Sequence, residues 1–144
     1  MKRPMLSEHF SFDELTVCRR HPELADKNRL EASAFCDKLT DLCQAVLEPV
    51  RSAFGPVVIT SGYRCPALNA AVGGAATSQH AKAEAADFIV PGRDLDDVFE
   101  WIQKAIIPFD QVILEPGWIH VSYCGQPGNR REALIFDGKT YRRA

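Results

Sequence analysis

The sequence predicts an α+β fold in which a small antiparallel sheet packs against helices. Three features carry that reading. An apolar stripe at helical spacing runs through 28–54, short β-branched or alternating runs recur at 57–60, 85–90, 112–115, 118–123 and 133–136, and Pro116-Gly117 joins two of those runs late in the chain. The 144 residues suit one domain, long enough to bury a core without covalent staples.

Residues 1–27 read as an irregular N-terminal segment preceding a folded domain at 28–144. Ser11 followed by Glu14 fits a capping box and implies a short helical turn. Asn28 is a good N-cap type for the long helix that follows. Leu30, Phe35, Leu39, Leu42, Val46 and Val50 lie on its inner stripe, with Asp37, Lys38 and Asp41 off it. Pro49 implies a kink or a split, and Gly55-Pro56 the end. The run at 57–60 is a strand. The stretch 61–79, rich in Gly, Ala, Asn and Ser, reads as a long loop, a feature that in small domains is usually functional.

A second strand at 85–90 closes on Pro91-Gly92. Asp94 then caps a helix reaching about 107, with Leu95, Phe99, Ile102 and Ile106 inward and Pro108 as its stop. The runs 112–115 and 118–123 form a hairpin about Pro116-Gly117. After a loop at 125–130 comes a strand at 133–136, and Asp137-Gly138 turns into a basic tail.

A formal charge of −2 supplies no basic excess for nucleic acid or an anionic membrane surface. Five cysteines without a C-x-x-C pair read as free thilols of a reducing compartment, and Cys36 and Cys43 lie two helical turns apart, too far to bridge. The N-terminus has charge but no apolar h-region, and no run approaches the roughly 20 apolar residues of a membrane span. The expectation is a monomer made in the cytoplasm without a signal peptide.

His9 and His21 sit among charges and read as solvated. His80 and His120 differ, because each lies in or beside a strand with carboxylates close in sequence. With Pro116 and Gly117 as the central turn residues, Glu115 pairs with Trp118 and Ile113 with His120. Glu115 and His120 are then diagonal neighbours on one face, roughly 7–8 Å apart. That separation suits a base standing behind a metal-bound water better than two ligands of one ion, although the hairpin alone is better explained by a surface Glu at a turn and a packed His in a strand. Asp87 opens the apolar run Phe88-Ile89-Val90, where a carboxylate is costly unless paired or metal-bound. A loop folding back onto the strand lets His80 and Asp87 reach one zinc. With His120 the set is three N/O ligands and an open fourth position, the pattern of catalytic zinc. Glu84 is a rival ligand, but its offset from Asp87 turns it to the opposite face, where it reads as exposed.

The string Ser61-Gly62-Tyr63-Arg64-Cys65-Pro66, then Asn69, Gly73-Gly74, Ser78-x-His80, Ala85-x-Asp87 and Glu115…Trp118-x-His120, resembles the D-alanyl-D-alanine carboxypeptidase family of zinc peptidases (peptidase family M15), whose members include phage endolysins. The resemblance runs from the helix near 28 to the strand at 118–123. Two departures are visible: the family often carries Gly three residues after its first His, where this chain has Ala83, and the gap between Glu115 and His120 varies among relatives. The resemblance implies a hedgehog-like (DD-peptidase-like) α+β fold, with 28–144 as the zinc peptidase domain. It also implies one zinc per chain held by His80, Asp87 and His120, and peptidoglycan peptides as substrates. Glu115 would be the general base, passing a proton from the activated water to the leaving amine. Arg64 would stabilise the oxyanion or grip a substrate carboxylate. Ser78 and Gln79 would orient His80. Tyr63 and Trp118 would stand on the substrate side, with core packing as the simpler role for Trp118. Cleavage of a terminal D-Ala-D-Ala bond and cleavage within the stem or cross-bridge both stay open. An origin as a phage lysis protein or virion component is compatible with the missing signal. The alternative is a non-catalytic zinc-binding module of the same fold, serving in wall binding or virion structure.

Overall fold

The computed structural model describes residues 4–125 and 127–144. The charged start Met1-Lys2-Arg3 and Gln126 of the expected 125–130 loop lie outside them. Five α-helices and six strands are present among the described residues: α1 Ala25–Ala32, α2 Cys36–Leu42, α3 Glu48–Phe54, β1 Val58–Ser61, α4 Pro66–Ala71, β2 Ala85–Ile89, α5 Leu95–Lys104, β3 Gln111–Glu115, β4 Trp118–Ser122, β5 Glu132–Phe136 and β6 Tyr141–Arg143. The strands form one sheet in the order β1-β2-β4-β3-β5-β6, antiparallel except for the parallel β3–β5 pair. The architecture is α+β, as the sequence predicts. No helix among the described residues is long and apolar enough to cross a membrane.

Alternation along the strands divides the sheet into two faces. Ala86, Phe88, Val112, Ile119 and Val121 point to one face and are fully buried. They share a core with Leu39, Leu42, Val46 and Val50 of the first helical run and with Val98 and Ile102 of α5. Asp87, His120, Trp118 and Glu115 belong to the other face.

The helical run at 28–54 is broken more often than Pro49 alone implies. A 3₁₀ turn at Ser33–Phe35 separates α1 from α2, and a π-turn at Cys43–Leu47 separates α2 from α3. The wide turn falls just before Pro49, whose ring would strike a carbonyl one turn back in a regular α-helix. Asn28 does not cap this run. It lies inside α1, fully buried, where Nδ2 donates to the Thr16 and Tyr63 carbonyls (3.0 and 3.1 Å) and Oδ1 accepts from the Cys65 amide (2.8 Å). Leu30, expected on the inner stripe, is 75% exposed, because α1 is too short to carry the stripe through the 3₁₀ break.

Other expectations shift for local reasons. The 61–79 loop contains α4, which starts on Pro66 at a position where the missing N–H costs nothing. Asp94 caps α5 by accepting from the Asp96 amide at 2.9 Å, as expected, but the helix stops at Lys104 and leaves Ile106 fully exposed. Arg131 ends it, donating to the carbonyls of Gln103, Ala105 and Ile107. The basic tail forms β6, paired with β5.

The first 27 residues are more than an irregular lead. Ser11 and Glu14 make the reciprocal capping box at 3.0–3.1 Å around the 3₁₀ turn Glu14–Thr16. Leu6, Phe10 and Leu15 enter the same core as the sheet.

Candidate metal centre

β2 and β4 pair so that Asp87 stands directly opposite His120. Directly opposed side chains on one face are the closest cross-strand neighbours a sheet offers. Asp87 Oδ1 lies 3.0 Å from His120 Nδ1. His80 arrives from outside the sheet, on the 3₁₀ turn Gln79–Lys82, with its Nε2 at 3.3 Å from the same Asp87 oxygen. The two imidazoles meet edge to face with centroids 5.2 Å apart. One ligand atom from each of His80, Asp87 and His120 thus lies within 4.8 Å of the others, a group that could hold a metal ion.

The far nitrogen of each ring bears on the fit to a metal. His80 Nδ1 sits 2.8 Å from the Gly62 carbonyl oxygen, which can only accept. Its proton therefore belongs on Nδ1, and Nε2 presents a lone pair toward Asp87. Gly62 is required by close approach: a Cβ there would lie 2.2 Å from the Leu15 carbonyl oxygen. His120 Nε2 sits 2.9 Å from Gln79 Oε1. The direction of that amide is set one step further out, because Gln79 Nε2 donates to Asp110 Oδ2 at 2.8 Å, and a carboxylate cannot donate in return. Asp110 is itself gripped by Arg130, whose Nε and Nη2 each donate at 2.9 Å while its backbone amide donates at 3.0 Å. The hydrogen bond from Arg130, stronger than the opposing effect of burial, holds the Asp110 carboxyl below its ordinary range. His120 thus carries its proton on Nε2 and turns an unprotonated Nδ1 inward. Two lone pairs and a carboxylate facing one point, with both imidazole protons tied to acceptors behind, is the donor arrangement of a histidine–carboxylate metal site.

Burial pushes the Asp87 carboxyl up, but the two imidazoles outweigh burial when they are doubly protonated, through hydrogen bonds from His120 and His80 and their charge, and leave it well below the usual carboxylate range. With the ring protons on the outer nitrogens alone, the same three inner atoms are donors for a cation. Glu115 moves the other way. Burial first, then the negative charge of Asp87, raise its carboxyl, with His120 opposing. The hairpin register is the expected one, Glu115 opposite Trp118 and Ile113 opposite His120. Glu115 therefore shares the metal face without belonging to the three-residue group.

Arg64 is joined to the His80 turn through its backbone amide, which donates to the His80 carbonyl at 3.1 Å. Burial lowers its guanidinium pKa, the charge of Asp87 opposes that, and its Nε is buried without a partner. A Cβ on Gly74 would stand 2.1 Å from Asn69 Oδ1 and 3.1 Å from Arg64 Nη1, so the Asn69 and Gly74 positions of the motif shape the seat of this arginine. Arg64, Asp87 and Trp118 line one groove of about 540 Å³.

The remaining expected residues divide. Ser78 supports His80 through the backbone, its Oγ accepting from the His80 amide at 3.2 Å. Gln79 orients His120 rather than His80. Tyr63 is buried, packs on Phe35 at 5.4 Å and lies in the core, away from the site. Trp118 is 36% exposed and lines the groove instead of filling core. Glu84 is half-buried and paired to Lys38 at 3.0 Å, outside the metal group. Asp110, Arg130 and the carbonyl role of Gly62 are functional features with no signal in the sequence. An Asp two residues after Pro108 has the look of a turn residue, and only tertiary contact reveals its partners.

A family model described as Peptidase M15 matches residues 8–122. The chain belongs to the M15 peptidases, a family of hydrolases that are zinc-dependent in general. No curated protein matches the chain.

Proposed function

We propose that the protein is a zinc metallopeptidase that hydrolyses peptide bonds in the stem or cross-bridge peptides of peptidoglycan, an activity of the D-Ala-D-Ala carboxypeptidase/endopeptidase type. The observation that carries the reading is the convergence of His80 Nε2, Asp87 Oδ1 and His120 Nδ1, with the outer ring nitrogens committed to acceptors. His80, Asp87 and His120 would hold one zinc per chain, which would supply a Lewis acid and lower the pKa of a bound water.

The chain's own residues do the rest. Glu115 accepts the proton of the attacking water and delivers it to the leaving amine. Its place on the sheet face of Asp87 and His120, outside the ligand group, suits a base that takes the proton without occupying a ligand position. Arg64, half-buried and with an unpartnered Nε, stabilises charge on the scissile carbonyl or grips a substrate carboxylate. Trp118 forms the floor on which the substrate backbone lies. Catalysis is favoured over a non-catalytic zinc module because Glu115 and Arg64 accompany the donor set.

The test combines elemental analysis with mass spectrometry of digested muropeptides. Wild-type protein should hold one zinc and release peptide fragments. His80→Ala, Asp87→Ala and His120→Ala should each lose the metal. Glu115→Gln should keep it and lose activity by roughly 10²–10⁴-fold. A wild-type protein without a stoichiometric zinc site, or a zinc-loaded one that leaves muropeptides intact, would refute the proposal.

A further inference from the structure

The groove lined by Asp87 and Trp118 is also lined by a run the chemistry above does not use: Arg19, Arg20 and His21. Its lining further includes the apolar Val17, Leu68, Val72 and Ile89. Asp87 is the one carboxylate in the lining, and it is committed to the two histidines. Among the described residues no carboxylate forms an ion pair with Arg19, Arg20 or Arg64, whereas Arg29 and Arg130 both have acidic partners. A chain of net charge −2 thus gathers three guanidinium groups around one groove, none of them in an ion pair among the described residues, with Asp87 acting on Arg64 through its charge.

The segment bearing them is held at both ends. On one side the 3₁₀ turn Glu14–Thr16 is tied to the site loop, Tyr63 N donating to the Leu15 carbonyl at 2.8 Å and Asn28 to Thr16. On the other, Pro22 opens a second 3₁₀ turn, Cys18 Sγ donates to the His21 carbonyl at 2.9 Å, and His21 Nδ1 meets Glu23 at 3.2 Å. Arg19 and Arg20 are therefore presented from a short braced connection.

We propose that Arg19 and Arg20, which line the same groove as Arg64, form a carboxylate-binding subsite that selects peptides carrying an anionic group beside the scissile bond. The inference rests on the peptidase reading for the phrase "scissile bond" and on the groove alone for the carboxylate. Guanidinium forks match carboxylates in plane and can hold them bidentately. The apolar residues of the lining suit small side chains such as alanine. Positive charge in a concave site also concentrates anionic ligands and speeds their arrival.

A free C-terminus and an acidic side chain both supply a carboxylate, and four pentapeptides separate them: one with a single Glu and a free C-terminus, its Gln counterpart, and the C-terminal carboxamide of each. Turnover is measured with the zinc-loaded wild type and the Arg19→Ala/Arg20→Ala double variant. Calorimetric binding is measured with zinc-loaded Glu115→Gln and the same double change in that background. Zinc content and circular dichroism confirm that each protein is folded and loaded. The wild type should prefer the peptide whose carboxylate reaches the subsite, and its neutral counterpart should show KM or Kd higher by roughly tenfold. The double variant should erase that preference, the loss falling on KM, and Arg20→Glu should invert it. Retention of the preference in the double variant, or its absence in the wild type, overturns the subsite. If no peptide is cleaved while the binding preference is present and is lost with the arginines, the peptidase reading fails and the subsite stands.

Discussion

Which nitrogen of His120 faces Asp87 is decided at Asp110. Arg130 can only donate, so both Asp110 oxygens accept, and Gln79 must turn its NH₂ outward and its carbonyl toward His120. Asp110→Asn reverses this chain with almost no change of shape. Arg130 would hold the new amide by its oxygen, leaving its NH₂ toward Gln79. Gln79 would flip, donate to His120 Nε2, and drive the imidazole proton to Nδ1, where the metal should sit. Zinc affinity in a competition titration should then fall by roughly 10- to 100-fold, the usual cost of losing an outer partner of a ligand histidine. In the metal-free protein, the ¹⁵N spectrum of His120 should change from the Nε2-protonated to the Nδ1-protonated tautomer. Unchanged spectra and affinity would mean that Asp110 and Arg130 serve only to fasten β5 to the sheet. At this scale the sequence was readable where chemistry is local. An Asp opening an apolar strand and a His at alternating register point to a site on their own. Asp110 and Arg130 carry no such mark, since a polar residue near a turn has an ordinary explanation until its neighbours are known.

Elements were legible in proportion to their length and regularity. The hairpin at Pro116-Gly117 followed from alternation and a turn dipeptide, and it placed Glu115 and His120 correctly because a period of two leaves no freedom once the turn is set. Six-residue α4 and three-residue β6 are too short to show a period, so the sequence reads as loop and tail at those places. Ala83 illustrates a subtler point. It follows the His80 turn at φ +60°, the left-handed conformation that favours glycine, at the position where the family resemblance implies glycine. The conformation costs alanine about 1–2 kcal/mol. Against this, glycine loses roughly 0.5–1 kcal/mol more backbone entropy on folding, and the buried Ala83 methyl is worth about 0.8 kcal/mol. The terms nearly cancel, which explains how alanine stands there. Ala83→Gly should therefore leave the stability measured by urea unfolding within about 0.5 kcal/mol of wild type, whereas Ala83→Val should destabilise clearly, because a β-branched residue resists positive φ. A large gain from the glycine variant would show that the methyl contributes little.

At the scale of the whole molecule, the site exists because two parts of the chain meet across the sheet. β2 and β4 supply Asp87 and His120, while His80 is held by Gly62 and the loop that Asn28 clamps to the N-terminal segment. None of these ties has a period in the sequence, so 1–27 read as irregular even though Leu6, Phe10 and Leu15 complete the core. Glu48, at the start of α3, is the other anchor of that segment. Its Oε2 accepts from Ser7 Oγ at 2.6 Å and from the His9 amide at 2.7 Å, and its Oε1 lies 2.7 Å from His9 Nδ1. Burial pushes the carboxyl up, but the Ser7 and His9 hydrogen bonds prevail and its pKa in the folded protein is lowered. A carboxylate whose folded pKa is depressed stabilises the fold fully above its unfolded pKa and loses that contribution as pH falls through the folded value. Glu48→Gln should therefore cost about 1–2 kcal/mol at pH 7, the worth of charge-assisted over neutral hydrogen bonds. The difference from wild type should shrink as pH drops below roughly 4.3, the value of an unfolded glutamate. Urea unfolding at pH 7 and at acid pH measures both quantities, and limited proteolysis should cut the variant first within 1–27. A gap that stays constant with pH would mean that Glu48 acts through its shape and not its charge, and that the N-terminal segment is held by its apolar residues alone.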